Sequence, residues 1–229
     1  MSNDNGPTLL CSAYRRVVEA GTEEWVKRVG RGTPLTVETS ADGAYRLLPG
    51  GLCFADHLAF VEAVICGFGW PRMGSLLAQP FRSWQAIRVL RGVAAAMRGA
   101  FGPEVKAAIG LRSGLAAAEV YGSEDPRCVE ALAREAPGCV LFSVAESNLA
   151  AWFCLEPDGL RSGGGEPPVE AAARVTFRDL EVALRAVETG LDPLIAPASG
   201  EVAVAGRIPL AEVVGYVADK ASRDLVLPT

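Results

Sequence analysis

The chain has 229 residues, of which 50% are hydrophobic and 21% charged, and its formal net charge is −5. A sequence this apolar buries a sizeable core without metal or disulfide supports, which excludes intrinsic disorder. The acidic balance argues against a nucleic-acid-binding protein, because phosphate contacts need clustered basic residues. A single histidine argues against most histidine-based catalysis and metal chemistry.

Charge is distributed unevenly along the sequence. Residues 1–71 hold eight acids and six bases, residues 72–122 hold two acids and seven bases, and residues 123–229 hold seventeen acids and nine bases. The net charge of the central segment is therefore positive, while both flanking segments are negative. Two interpretations stay open: a solvated helix surface, or a surface that meets an anionic membrane or an acidic partner.

The six cysteines contain no Cys-x-x-Cys pair, which argues against a zinc site or a redox dithiol. No basic-plus-apolar signal pattern occupies Met1 to Pro7. We therefore expect buried, reduced cysteines in a cytoplasmic protein that needs no metal and no cofactor. The abundance of arginine, alanine and glycine is typical of bacteria with GC-rich genomes.

The first 122 residues predict a mostly helical region that contains a small hairpin. Apolar residues at helical spacing predict helices over 9–20 and 22–30, with a break where Thr22 caps the second helix. Strand-like runs at 35–39 and 44–48 flank an Asp-Gly pair, which is a typical hairpin turn.

Residues 52–70 form the most apolar stretch and approach the length of a membrane span. Asp56, His57 and Glu62 lie inside this stretch, so a buried core helix is the better interpretation.

A second helix is predicted between Pro80 and Gly102, capped by Ser83. Its arginines are either solvated or in transient contact with an anionic membrane. The predicted apolar face consists of Trp84, Ile87, Leu90, Ala94 and Met97, and the arginines are Arg88, Arg91 and Arg98.

The segment Gly122 to Pro126 is the best candidate boundary, and it divides the chain into residues 1–122 and 123–229. Beyond it, turn residues and apolar periodicity predict an alternation of helices and strands. The predicted elements are a helix over 127–136, strands over 139–145 and 149–155, a Gly- and Pro-rich loop over 159–168, a strand over 172–177, a helix over 179–189, a strand over 201–205 and a helix over 210–222.

The C-terminal part resembles a known family. Val175-Thr-Phe177, an apolar helix beginning at Asp179, Gly190-Leu-Asp-Pro193 and the run Ser199–Gly206 follow one another as in the sterol carrier protein type 2 (sterol-binding domain) family. The resemblance covers about residues 124–225. It implies an α+β fold whose single curved, mainly antiparallel sheet is covered by helices.

The resemblance also implies an apolar tunnel between sheet and helices that binds, and can transfer, a lipid, fatty acyl or isoprenoid molecule without catalysis. Small aliphatic side chains suit this role, because each buried ligand methylene contributes about 0.8 kcal/mol. The expected lining residues are Phe142, Val144, Phe153, Leu180, Ala183, Leu184, Val187, Leu191, Leu194, Val202, Val204, Leu210, Val213, Val214 and Val217.

The chain departs from the family pattern near the turn that shapes the tunnel mouth. Glu201 stands where a lysine is usual, Arg207 where Asp or Asn is usual, and Pro197 where an aromatic residue is common. These departures affect the choice of ligand more than the fold.

Known catalytic motifs are absent from the sequence, so we expect a protein that is not an enzyme. One alternative is a thiolate–imidazolium nucleophile formed by Cys53 and His57, which share a face if both lie on one helix. A structural role for this lone histidine is the competing interpretation. The alternative function is an accessory or scaffold protein of a lipid or quinone biosynthetic complex that acts through its basic helical face.

Overall fold

The first half of the chain is mostly helical, and the second half combines helices with a larger sheet. The computed structural model describes residues 6–40, 42–66 and 69–225. Its elements confirm the expected α+β class. In chain order they are α1 (Gly6–Val29), β1 (Thr36–Thr39), β2 (Tyr45–Leu48), β3 (Leu52–Phe54), α2 (His57–Cys66), α3 (Met73–Ala78), α4 (Pro80–Met97), α5 (Pro103–Glu124), α6 (Pro126–Leu132), β4 (Gly138–Val144), β5 (Ala150–Glu156), β6 (Gly159–Gly164), β7 (Ala171–Phe177), α7 (Leu180–Glu188), α8 (Ile195–Ala198), β8 (Val202–Gly206) and α9 (Ile208–Asp224).

A single helix, α1, replaces the two helices predicted for the N-terminal residues, so the predicted break is wrong. Thr22 does not cap a helix but lies buried inside α1. Its hydroxyl oxygen accepts a hydrogen bond from the Leu35 backbone N–H at 3.0 Å and lies 3.1 Å from the Glu19 carbonyl. Thr22 therefore ties the chain that follows α1 back onto the helix.

The predicted hairpin is confirmed, since β1 and β2 pair antiparallel with Thr39 opposite Tyr45. A third strand, β3, pairs with β2, so the prediction of a continuous helix over 52–70 is wrong in its first residues. The buried Leu52 and Phe54 alternate as in a strand, and a run this short does not distinguish strand from helix by periodicity. The helical part is α2, and residues 67–68 lie outside the described ranges.

Within the described ranges, no helix combines the length and the apolar character that crossing a bilayer requires. The next predicted helix corresponds to α4, but Ser83 lies inside this helix instead of capping it. The buried Ser83 hydroxyl donates a hydrogen bond to the Gly50 carbonyl at 3.1 Å. This bond attaches α4 to the turn between β2 and β3.

The second half contains a five-stranded sheet with the order β6-β5-β4-β7-β8. All neighbouring strands are antiparallel except β4 and β7, which run parallel. The strands and helices predicted for this half are confirmed, but the predicted loop over 159–168 is wrong, because β6 pairs with β5. The glycines of β6 led to the loop prediction, because glycine is rare in strands. Gly163 is required in β6, since a side chain at this position would overlap the Trp152 ring.

The expectation that all six cysteines are buried and reduced is also wrong. Cys139 and Cys154 lie directly opposite one another on β4 and β5 and form a disulfide. Cross-strand partners bring their Cβ atoms close enough for such a bond without any Cys-x-x-Cys spacing. Of the four free cysteines, Cys128 is buried and Cys66 is exposed.

Helix α5 packs against both halves of the molecule. It contacts α1 and α4 on one side and β5, β6, α7 and α9 on the other. Its glycines allow this approach: a Cβ at Gly110 would overlap Val187 of α7, and one at Gly122 would overlap Leu160 of β6. The candidate boundary after residue 122 lies within the last turn of α5.

A buried polar network joins α1, α5 and β6. The Arg112 guanidinium, 5% exposed, donates to the Ser162 hydroxyl at 2.9 Å and to the Glu23 carboxylate at 3.3 Å. Ser162 donates to Glu119 at 2.8 Å, and Arg16 of α1 donates to the same carboxylate at 3.0 Å. Burial lowers the pKa of Arg112, and the neighbouring Glu23 carboxylate opposes that shift.

Replacing Gly110 with alanine is expected to lower the free energy of unfolding by about 1–3 kcal/mol, because the stiff Val187 side chain has no room to yield. Gly114 is the matched control: it lies on the same helix with nothing near its missing Cβ. Gly114→Ala should raise the free energy of unfolding by up to about 1 kcal/mol through helix propensity. Chemical denaturation measures both values, and equal effects would contradict the close approach of α5.

Replacing Arg112 with methionine is expected to lower the free energy of unfolding by about 2–3 kcal/mol, because Ser162 and Glu23 lose their charged donor. Arg127 is exposed, so Arg127→Met should change the free energy of unfolding by no more than about 0.5 kcal/mol. Guanidinium unfolding of the two variants and the parent chain measures this difference. A loss at Arg112 no larger than the loss at Arg127 would show that the network is not stabilising.

Candidate functional site

The residues predicted to line a tunnel gather on one side of the five-stranded sheet. Phe142 and Val144 alternate along β4 towards the core, and Val204 of β8 lies opposite Val175 of β7. The buried members are Phe142, Val144, Phe153, Ala183, Val202, Leu210, Val214 and Val217. The members packed against them are Leu180, Leu184, Val187, Leu191, Val204 and Val213. Leu194 is separate from this group, since 82% of it is exposed.

Helix α5 contacts the residues of α7 and α9 that were predicted to line the tunnel. Val187 of α7 fits against Gly110, and a Cβ at Gly122 would lie 3.8 Å from Val217 of α9. The apolar side chains of α7 and α9 therefore contact the protein's own helix. Binding of a ligand by these residues stays a prediction.

A small cavity of about 30 Å³ lies in the helical half of the molecule. This volume holds a water molecule or two and is too small for an acyl chain. Its walls come from α1, α2, α4 and α5 and consist of Val17, Val18, Thr22, Val64, Leu90, Val93, Met97, Ile109 and Ser113.

A group of exposed large apolar side chains lies on α2, α3, α4 and the connection before α3. Phe81 is 86% exposed and Trp84 is 57% exposed, although each offers a large area for burial. Scattered exposed apolar residues are ordinary, but six of them within residues 58–84 form an unusual concentration along the sequence. We call this group the α2–α4 surface, and its members are Leu58, Trp70, Met73, Leu77, Phe81 and Trp84.

Trp84 lies on the opposite face of α4 from the one predicted. The buried face begins with Ser83 and Ala86, whose small side chains let α4 approach Gly50. Leu90, Ala94 and Met97 continue that face as predicted, and Ile87 packs partly against it. The exposed face carries Phe81, Trp84, Arg88 and Arg91 at successive helical turns. Its aromatic rings and guanidinium groups thus form one stripe.

The sequence that carries this stripe has charge of one sign. The sequence contains no Asp or Glu between Glu62 and Glu104, while five arginines lie in that interval. Arg72 forms an ion pair with Asp42 at 3.1 Å. Arg88, Arg91 and Arg98 are exposed, and no carboxylate of the described residues pairs with them. The stripe is therefore both apolar and cationic.

The predicted Cys53–His57 pair does not form on one helix. Cys53 lies in β3, whereas His57 is the first residue of α2. The His57 Nδ1 atom instead lies 3.0 Å from the Cys11 Sγ atom of α1, a partner that sequence spacing did not indicate. In the part of the chain that the structure describes, no group of three or more His, Cys, Asp or Glu side chains is placed to hold a metal ion.

No family model matches the chain, and no curated protein matches it. Among solved structures, it is similar to a "UbiJ-SCP2 Ubiquinone synthesis protein", with 18% identity and a TM-score of 0.39, over 50% of this chain and 94% of that chain. It is also similar to a double mutant of the sec-alkyl sulfatase PisA1, with 13% identity and a TM-score of 0.36, over 69% of this chain and 26% of that one.

A third similar structure is the stereoselective inverting sec-alkylsulfatase Pisa1 from Pseudomonas sp., with 13% identity and a TM-score of 0.30, over 87% of this chain and 32% of that one. The chain thus spans about a third or less of both sulfatase structures. At these identities and TM-scores the likenesses assign no activity to this chain.

Proposed function

We propose that this protein is a non-catalytic, cytoplasmic lipid-binding protein that docks on anionic membranes through the α2–α4 surface. The observation that carries the proposal is the exposed stripe of α4, where Phe81 and Trp84 precede Arg88 and Arg91. Aromatic rings that enter the headgroup region beside arginines are typical of helices lying in a membrane interface.

The energies involved favour reversible docking. Full burial of Phe81 and Trp84 would contribute about 1.5–3 kcal/mol each. Each arginine near an anionic surface adds about 1 kcal/mol, so Arg88, Arg91 and Arg98 add about 3 kcal/mol. After the cost of association, this sum supports binding that salt and lipid composition regulate.

An acidic protein is the alternative occupant of this surface, in the accessory or scaffold role. The mixture of exposed side chains favours the membrane, because the α2–α4 surface presents two tryptophans and several flexible aliphatic groups along with the charge. Amphipathic indole rings favour the boundary between headgroups and acyl chains. Recognition of an acidic protein would need mainly the arginines.

We also propose that the C-terminal half holds a lipid, fatty acyl or isoprenoid molecule, as its family resemblance implies. The supporting observation is that the predicted lining residues of β4, β5, β8, α7 and α9 share one apolar side of the sheet. Because α5 contacts α7 and α9 there, a ligand would enter by displacing these helices from one another. The exposed Leu194 and Ile195 follow α7 and offer apolar contacts at its end.

Vesicle flotation tests the membrane proposal. The protein is expected to float with vesicles of equal parts phosphatidylglycerol and phosphatidylcholine, and to float far less with phosphatidylcholine alone or at high salt. The double variant Phe81→Ser/Trp84→Ser should bind at least about ten-fold more weakly, because it loses most of the buried aromatic area. Leu194→Ser/Ile195→Ser, which changes exposed apolar residues elsewhere, is the matched control.

Charge reversal gives a second arm of the same assay. Arg88→Glu/Arg91→Glu should abolish the preference for anionic vesicles, whereas Arg127→Glu/Arg174→Glu, at exposed sites elsewhere, should retain it. Binding that ignores lipid charge and all four substitutions on α4 would contradict the proposal. A protein that ignores vesicles but binds an acidic protein through Arg88 and Arg91 would assign this surface to the accessory role.

Lipid analysis tests the second proposal separately. Purified protein is expected to carry an apolar molecule that native mass spectrometry detects and a fluorescent fatty acyl probe displaces. The Phe81→Ser/Trp84→Ser variant should carry the same molecule, because its substitutions lie outside the C-terminal half. Protein that is empty and does not bind the probe would contradict ligand binding and leave the membrane proposal intact.

A further inference from the structure

A thiol, an imidazole and a phenol meet where α1, α2 and β2 come together. The Cys11 Sγ atom lies 3.0 Å from the His57 Nδ1 atom, and both residues are half-buried, so a small reagent has access to them. The rings of Tyr14 and Tyr45 lie on His57, with centroid distances of 6.4 and 6.1 Å. Phe60 stacks on Tyr45 at 4.8 Å, which fixes that ring in place.

A phenol that donates a hydrogen bond and an imidazole that is able to accept a proton lie beside the Cys11 sulfur. Burial and then the hydrogen bond with Cys11 together raise the pKa of Tyr45 to about 12, so Tyr45 stays a protonated donor beside the sulfur. Burial lowers the pKa of His57, against the effect of Asp56, so the imidazole is neutral near pH 7 and able to accept a proton. Arg15 lies one turn along α1 from Cys11, and its positive charge partly opposes the rise in the Tyr45 pKa.

We propose that Cys11 is a nucleophilic thiol and a covalent modification site for small carbon electrophiles that carry a leaving group, with His57 as its general base. The Cys11 S–H proton moves to His57 Nδ1 while the sulfur bonds to the electrophilic carbon. The leaving group departs with its electron pair, as iodide does from iodoacetamide. The imidazolium then returns its proton to water. This site involves neither the aromatic residues and arginines of α4 nor the C-terminal half.

The other cysteines of the chain serve as internal references. Cys66 is exposed at the end of α2, and the Cys53 sulfur lies 4.0 Å from the Phe54 carbonyl oxygen. Cys128 is buried, and burial followed by the nearby Asp125 carboxylate raises its pKa to about 12. Cys139 and Cys154 are joined in the disulfide. Cys66, which has no hydrogen-bonded base among the residues that the structure describes, therefore reports the labelling rate of an accessible thiol.

Labelling of the intact chain with iodoacetamide near pH 7, without reductant, tests the proposal. Peptide mass spectrometry should show Cys11 reacting at least about ten-fold faster than Cys66, which is a modest effect for general base catalysis. Cys11 should also react faster in the native chain than in the chain unfolded in urea, since unfolding separates it from His57. A thiol that is merely buried behaves in the opposite way.

The variant His57→Gln should lower the rate at Cys11 about ten-fold and leave the rate at Cys66 unchanged. Circular dichroism checks that this variant is folded, and Glu62→Gln on the same helix is its control. An unchanged Cys11 rate in folded His57→Gln would overturn the proposal. If that variant does not fold, a native rate at Cys11 below its unfolded rate would overturn it instead, and a higher native rate would support it.

Discussion

Close contact between α5 and both halves of the chain constrains the rest of this structure. Alanines and glycines make α5 thin enough to lie between α1 on one side and β6, α7 and α9 on the other. A helix of larger residues would separate these layers, because protein interiors tolerate little overpacking. Within this apolar contact, Arg112 and Glu119 reach Ser162 of β6, and Arg16 reaches Glu119 from α1. Directional bonds of this kind fix the register of layers that apolar packing alone would let slide.

This arrangement separates two kinds of apolar surface. The apolar side of the five-stranded sheet, with Phe142 and Phe153, is covered by helices of the same chain, while Phe81 and Trp84 of α4 stay exposed. Covering the first surface stabilises the fold, and leaving the second exposed costs solubility unless something binds it. Because Phe81 and Trp84 lie within an interval of the sequence without acids, the proposed occupant carries negative charge as well as an apolar region. An anionic membrane is the occupant that we propose.

Local patterns predicted much of the second half, including the capped helix at Asp179 and the alternating strand at Val202–Gly206, because their signals are short-range. Predictions from the sequence were wrong where contacts between distant residues determine the local structure. Thr22 resembles a cap but bonds to Leu35, and glycines concealed β6 because their pairing with β5 is not a local property. For the α2–α4 surface, the sequence indicated that the arginines of α4 lie away from the core. The prediction that Trp84 lies on the buried face of α4 was wrong. The partner of His57 is 46 positions away, beyond any spacing rule.

The position of β6 at the edge of its sheet has a consequence for aggregation of a partly unfolded protein. This strand is rich in glycine, and its Ser162 hydroxyl is held by side chains of α5. Should the helical half detach, β6 would lose that cover and present unpaired backbone N–H and C=O groups to other molecules. Neighbouring copies could then add strands to this edge and begin to aggregate. In the intact chain, the contact between α5 and β6 is therefore expected to oppose self-association of the sheet.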